Sequence, residues 1–345
     1  METRRDVMAG IGAGIAVAST IGFAAFAQAA PFKIGALISG ADHDGNDQMI
    51  APYDAQMRLG LELAIAEVNA GGGVLGRPME LLVRNDFGSP APAAEEVVKF
   101  LEVDGCEAII SGFVLATRGF LNRTLKDRPT TVPVIHGFGT EGTLCSDFIF
   151  HTGPTSAQSL QPMVQHLGEA ACDMAFTVSE WTPSQRVISN QLQTTIHPPL
   201  IGLAGAALVT TPIKGYKPGE YHNLARWMHD FGSKIDYVTV PRPYAVNVIN
   251  QAIDAGVGEG KIFAYLDFSE AQAAELVSGA EVLTCLPMVA ADPDPKVQAF
   301  VGAARKLSGG TLATHVAYTH YNAVMALRQA MEAAGEPTGA AAPTG

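Results

Sequence analysis

One feature of this chain restricts its fold more than any other: short apolar runs of strand length alternate with stretches of helical spacing along almost its whole extent. Residues 33–38, 79–84, 107–111, 132–136 and 148–151 read as strands. A continuous apolar run bounded by turn residues suits a strand covered on both faces. Between them, residues 53–69 read as a helix with Leu59, Leu63, Ala66 and Ala70 on one stripe, ending at Gly71-Gly72-Gly73. Residues 92–103 read as another, with Glu95 and Glu96 near its positive end. The alternation resumes with helical stretches at 156–167, 220–231 and 244–255 and strands at 174–179, 235–240, 261–266 and 281–286. Two late helices are expected at 295–307 and 314–334. Repeated βα units fold as doubly wound parallel sheets, so the expected class is α/β. At 345 residues the chain exceeds one ordinary domain, and two are expected. Residues 181–213 mix prolines, glycines and β-branched residues without a clean period.

The first 29 residues stand outside this pattern. Arg4 and Arg5 open the chain, no charge follows from Val7 to Phe32, and Ala27-Gln28-Ala29 has the small-x-small spacing that a signal peptidase reads. The order Thr3-Arg4-Arg5-Asp6 resembles a twin-arginine export signal. The competing reading is a membrane anchor. Glycines within the run and the missing stop-transfer flank favour a cleaved leader with no anchor left after cleavage near Ala29. No cysteine stands at the cleavage point to carry a lipid. The expected compartment is the periplasm. At the other end, residues 338–345 are Gly, Ala, Pro and Thr only, a composition that cannot bury a core, and a disordered tail is expected there.

Charge and cysteine content narrow the function. With 22 basic and 34 acidic residues, the chain lacks the basic face that phosphates require, so no nucleic-acid partner is expected. The four cysteines, Cys106, Cys145, Cys172 and Cys285, allow three pairings in an oxidising compartment and contain no Cys-x-x-Cys. Gly137-Phe138-Gly139-Thr140-Glu141-Gly142 follows a strand as a dinucleotide fingerprint would, but too few residues precede the next strand for a crossover helix. The better reading is a glycine-rich turn at a strand's carboxyl end, where α/β sheets bind ligands. Asp42-His43-Asp44-Gly45-Asn46-Asp47 begins like a calcium loop, but Tyr53 occupies the twelfth position, and a solvated acidic loop is expected. The pairs His222/His229 and His315/His320 have no third metal ligand and read as surface or partly buried histidines. Neither a metal nor another cofactor is expected, and no nucleophile–base motif points to an enzyme. Two further residues follow strands. Trp181 either stacks on a ligand or packs in a core, and Asp267 either holds a cationic group or caps a helix beginning near Ser269.

Three segments stand out together: Ile34-Gly35-Ala36-Leu37, the helix through Leu61-Glu62-Leu63-Ala64-Ile65-Ala66-Glu67-Val68-Asn69, and Ala70-Gly71-Gly72-Gly73-Val74-Leu75-Gly76-Arg77. They resemble the type I periplasmic solute-binding proteins of ABC transporters, the branched-chain amino-acid, urea and short-chain amide binding family. Asp86, Ser89-Pro90, Ala94 and Asp104-Gly105 continue the resemblance, and Ala116-Thr117-Arg118, in the loop after the third strand, is similar to the urea and amide branch. Glu141-Gly142, Thr152-Gly153-Pro154 and Ser179-Glu180-Trp181-Thr182-Pro183 point the same way. The resemblance implies two α/β domains joined by a hinge, one formed by residues 30–151 and 287–337 and the other by 152–286. It implies ligand contacts at Ala116, Thr117, Phe138, Thr140, Trp181 and Asp267, with Asp267 meeting a ligand ammonium group. The usual serine-rich loop is replaced by Phe113-Val114-Leu115-Ala116, so one hydroxyl donor for an amino-acid carboxylate is missing. The resemblance implies a strand pair past the helix ending near Ala334, and the expectation is that this region is either truncated or diverged here. The implied function is capture of a small polar solute (amino acid, amide or urea-like) for an ABC permease complex in the inner membrane. A ligand sensor of the same fold is the alternative, and an exported enzyme the third reading.

Overall fold

The computed structural model describes residues 30–39, 47–113, 115–126, 132–168, 174–178, 208–210, 228–230, 232, 234–238, 245–257 and 260–335. The leader with Arg4 and Arg5, the acidic loop before Asp47, Trp181, Cys172, His222 and the tail lie outside these residues.

Two five-stranded sheets, parallel throughout, carry the fold. The first contains β1 (Phe32–Ile38), β2 (Met79–Asn85), β3 (Ala108–Ile110), β4 (Val134–His136) and β5 (Ile149–His151), in the order β2-β1-β3-β4-β5. The second contains β6 (Met174–Val178), β7 (Leu208–Thr210), β8 (Ile235–Val238), β9 (Ile262–Ala264) and β10 (Glu281–Leu283), in the order β10-β9-β8-β6-β7. Each order reverses beside its first strand, as the alternation of elements requires of a doubly wound sheet. β4 and β5 are parallel neighbours joined by residues 137–148 without a helix, so the glycine-rich turn opens no dinucleotide crossover.

Helix α1 (Asp47–Ala70) begins earlier than its apolar period suggests and runs through Pro52 in its second turn. Its buried stripe is Tyr53, Met57, Leu61, Ala64, Ile65 and Val68, the 3.6-residue period of a helix lying on a sheet. The expected stripe was misplaced: Ala66 and Ala70 face solvent, while Leu59 turns toward a second contact with later helices. Helix α2 (Pro90–Lys99) carries proline in its first turn, where no amide is missed, and continues as a five-residue π turn, Phe100–Asp104, closed by Gly105 in the left-handed conformation. Glu95 and Glu96 lie beyond its first turn. Glu96 instead pairs with Arg84, at 3.2 Å, and with Lys99.

Residues expected in a loop form helix α3 (Leu115–Lys126). Thr117, Arg118, Leu121 and Leu125 are its buried face. Helix α4 (Ser156–Leu167) follows β5, and α5 (Ala245–Asp254) packs Val246, Val248, Ile249 and Ala252 into the core of the second sheet. The short helix α6 (Glu270–Ala273) is capped by Ser269, whose Oγ accepts from the Gln272 amide while the Gln272 side chain accepts from the Ser269 amide. Ser269, and not Asp267, therefore ends that strand-to-helix turn.

After β10 the chain returns to the first sheet through α7 (Pro295–Ser308) and α8 (His315–Ala334). Val316, Ala323, Val324, Leu327 and Met331 of α8 join the core made by α1 and β1. His315 and His320 lie on its buried face, which corrects their reading as surface or partly buried histidines. Both point inward because they share the face that carries Val316, Ala323 and Val324.

Candidate functional site

All five strands of each sheet run parallel, so their carboxyl ends share one edge, where chain crossings leave room for a ligand. A cavity of about 40 Å³ lies there. From the first sheet come Phe138, Thr140 and Glu141 of the turn after β4. From the second come Leu266 and Asp267 after β9, and Leu286 beyond β10. The first turns of α4 and α8 complete the wall with Ser156, Ser159, His315 and Val316. An open groove of about 500 Å³ adjoins it past Pro154 and Leu286, toward Gln158 and Cys285.

The turn after β4 is held from three directions. Its backbone pairs with the first crossing to the second sheet: the Thr140 amide donates to Pro154 O at 2.9 Å, and the Ser156 amide donates to Thr140 O at 2.7 Å. Arg118 reaches it from α3, donating to Thr140 Oγ1 at 2.6 Å and to Glu141 Oε2 at 2.7 Å. Glycines let the layers approach. A Cβ on Gly137 would lie 2.6 Å from the His320 ring, and one on Gly153 would lie 2.2 Å from the carbonyl oxygen of Phe138. Phe138 is buried, with its ring 4.4 Å from that of His320 and 5.2 Å from that of Phe113.

The electrostatics follow from burial and pairing. Burial pushes the Glu141 carboxyl up, but Arg118, its own backbone amide and Thr140 together outweigh it and hold it below the ordinary carboxylate value. Burial lowers His151, aided by Arg118 and opposed by Glu141. Burial also pushes His320 down to about 4, although its Nδ1 donates to Val316 O at 2.8 Å; that bond raises it and nearby His315 lowers it. Across the cavity, Asp267 Oδ1 contacts His315 Nε2, and both side chains are almost wholly buried.

Of the residues singled out in the sequence, Phe138, Thr140 and Asp267 come together on this cavity. Ala116 and Thr117 stand in the first turn of α3 rather than in a loop, and Thr117 is not part of the cavity wall. Trp181 lies outside the described residues. Arg118, Glu141 and His315 were not among the expected site residues. Arg118 did leave a signal, as the one charged residue between Ala108 and Asn122. A lone charge in an apolar segment needs a buried partner. Neither Glu141 nor His315 carries a comparable local mark.

No group of three or more metal-ligating side chains occurs among the described residues, and none of their helices is long and apolar enough to cross a membrane. The sequence profile of the periplasmic binding proteins matches residues 44–343, and the chain belongs to that family. Its members bind solutes and are not enzymes. Comparison with curated proteins returned no match. Among solved structures, an extracellular ligand-binding receptor from Verminephrobacter eiseniae is 19% identical with a TM-score of 0.71, covering 88% of this chain and 84% of its own. The branched-chain amino acid substrate-binding protein LivJ from Streptococcus pneumoniae, in complex with isoleucine, is 16% identical with a TM-score of 0.71, covering 90% and 86%. A solute-binding protein of an ABC transporter from Rhodopseudomonas palustris, in complex with p-hydroxybenzoic acid, is 16% identical with a TM-score of 0.74, covering 90% and 83%. These likenesses establish the type I periplasmic binding protein fold.

Proposed function

We propose that this protein is exported to the periplasm, captures a small polar solute between two lobes and delivers it to an ABC permease. The lobes in this reading are residues 30–151 with 287–337, and residues 152–286. The observation that carries it is the cavity where the carboxyl ends of both sheets meet, walled by Thr140 and Glu141 on one side and Asp267 on the other. At about 40 Å³ it is smaller than an amino acid needs, so uptake requires the walls to part and release requires the same motion. Thr140 and Asp267 are the polar contacts of this reading and Phe138 an apolar one. Ala116, Thr117 and Trp181 belong to it by resemblance alone. Arg4 and Arg5 serve export through a leader cleaved near Ala29.

The solute is an amino acid, an amide or a urea-like compound, or an aromatic acid such as the p-hydroxybenzoic acid bound by the R. palustris protein. Thermal-shift screening of the purified protein against these classes tests the reading. A ligand at a hundred times its Kd adds about 2.7 kcal/mol, so one class should raise Tm by several degrees, and calorimetry should then show one site. If no class stabilises the protein, or if the solute is consumed, the reading is wrong.

A further inference from the structure

We propose that His315 is a specificity-determining residue that fits this cleft to solutes lacking an ammonium group beside their carboxylate. The inference rests on the reading of the cavity as a solute site. Asp267 is supplied by the turn after β9 and His315 by the first residue of α8, so the two meet from opposite walls. With 6% and 8% of their side chains exposed for His315 and Asp267 respectively, their contact is shielded from water. The imidazole covers the carboxylate oxygen that a ligand ammonium would seek. The other acid of the wall, Glu141, is already paired with Arg118 at 2.7 Å.

An ammonium-bearing solute must therefore displace His315 from Asp267. Neither ring nitrogen of His315 has a hydrogen-bond partner among the described residues, so the close approach of Nε2 to Asp267 Oδ1 is the buried ring's one polar contact there, and displacement would remove it. Leaving a buried polar group unpaired costs more than forming an equivalent new contact returns, and this kind of penalty is how a site rejects a competing ligand. A carboxylate without a neighbouring ammonium demands no displacement. It also meets the positive end of α8, a 20-residue helix whose first residues, His315 and Val316, line the cavity and whose N-cap Thr314 makes no side-chain capping bond.

The test uses pairs that differ only in the ammonium group: alanine and propanoate, leucine and 4-methylpentanoate, phenylalanine and 3-phenylpropanoate. Each is titrated calorimetrically into the full-length protein. In the pair that fits the cleft, the wild type should bind the deaminated acid at least tenfold more tightly. His315→Ala should shift that ratio toward the amino acid by tenfold or more, and adding Asp267→Asn should remove the gain. His315→Gln, which keeps a donor beside Asp267, should retain the wild-type preference. A wild-type protein that binds the amino acid as tightly as its partner overturns the inference and requires no variant to fold. A ratio unchanged within twofold in a folded His315→Ala protein overturns it too. If compounds bind without this preference, the inference fails alone; if none binds in any variant, the solute-site reading fails with it.

Discussion

Arg118 on α3 and Glu141 in the turn after β4 form an ion pair of 2.7 Å in which the guanidinium is only 2% exposed. The same guanidinium donates to Thr140 Oγ1, so one side chain secures two neighbouring residues of the cavity wall. Removing it leaves a largely buried carboxylate without its cation. Arg118→Met should cost about 3 kcal/mol, the lower end for breaking a buried pair, because Glu141 keeps some contact with water. Urea denaturation of the variant measures it, and a loss below about 1 kcal/mol would show that the pair is dispensable to the fold.

His320 makes stability depend on pH in the mildly acidic range. Its folded value, about 4, lies below the ordinary 6.5, because the ring is buried. The unfolded chain therefore binds the extra proton first, and stability falls as pH drops from about 6.5 toward 4. The loss should be on the order of 3 kcal/mol once complete. Melting curves between pH 7 and 4.5 should show a steeper decline for the wild type than for His320→Gln. Equal slopes would mean that the imidazole is solvated in the native protein.

Close approach of α1 and α8 depends on the absence of a side chain at Gly60. A Cβ there would lie 2.0 Å from the carbonyl oxygen of Ala317, a backbone atom that can move only with its helix. Gly60→Ala should destabilise by about 3 kcal/mol. Gly302 on α7 has nothing within 4 Å of the equivalent position. Gly302→Ala should stabilise by about 1 kcal/mol through helix propensity. Thermal unfolding of the two variants should move in opposite directions.

The thiols should differ sharply in reactivity. Cys106 is buried, and burial, reinforced by Asp104 against Lys33 and Arg84, pushes its thiol up to about 12. Cys145 is exposed, and Cys106, Cys145 and Cys285 are free thiols. Iodoacetamide at neutral pH should label Cys145 in the native protein and Cys106 only in denaturant, as peptide mass mapping would reveal. Rapid native labelling of Cys106 would place the segment leading into β3 outside the core.

Much of the fold was legible because buried parallel strands impose apolar runs. Val134–His136 and Ala108–Ile110 are short, yet each sits inside its expected run. Helix α3 was missed because polar and small residues, Thr117, Arg118, Gly119 and Asn122, interrupt its apolar period. Arg118 counts toward the buried face only because Glu141, across 23 positions of sequence, neutralises it. The stripe on α1 was misplaced because two contacts, the sheet below and α7 beside it, both draw apolar residues from one helix.

The site divides in the same way. Asp267 and the glycine-rich turn of residues 137–142 could be singled out because each follows a strand, and the carboxyl end of a parallel strand is a local property of the chain; Phe138 and Thr140 within that turn came from the family resemblance. That Asp267 meets His315 is not local. The two residues are 48 positions apart, on different elements, and neither sequence neighbourhood shows the other. The sequence by itself determined the α/β alternation, the placing of turns at strand ends and the candidates those turns present. Only the tertiary structure decided which buried charges compensate one another, because pairing depends on how separate elements pack, and packing is settled by the whole core.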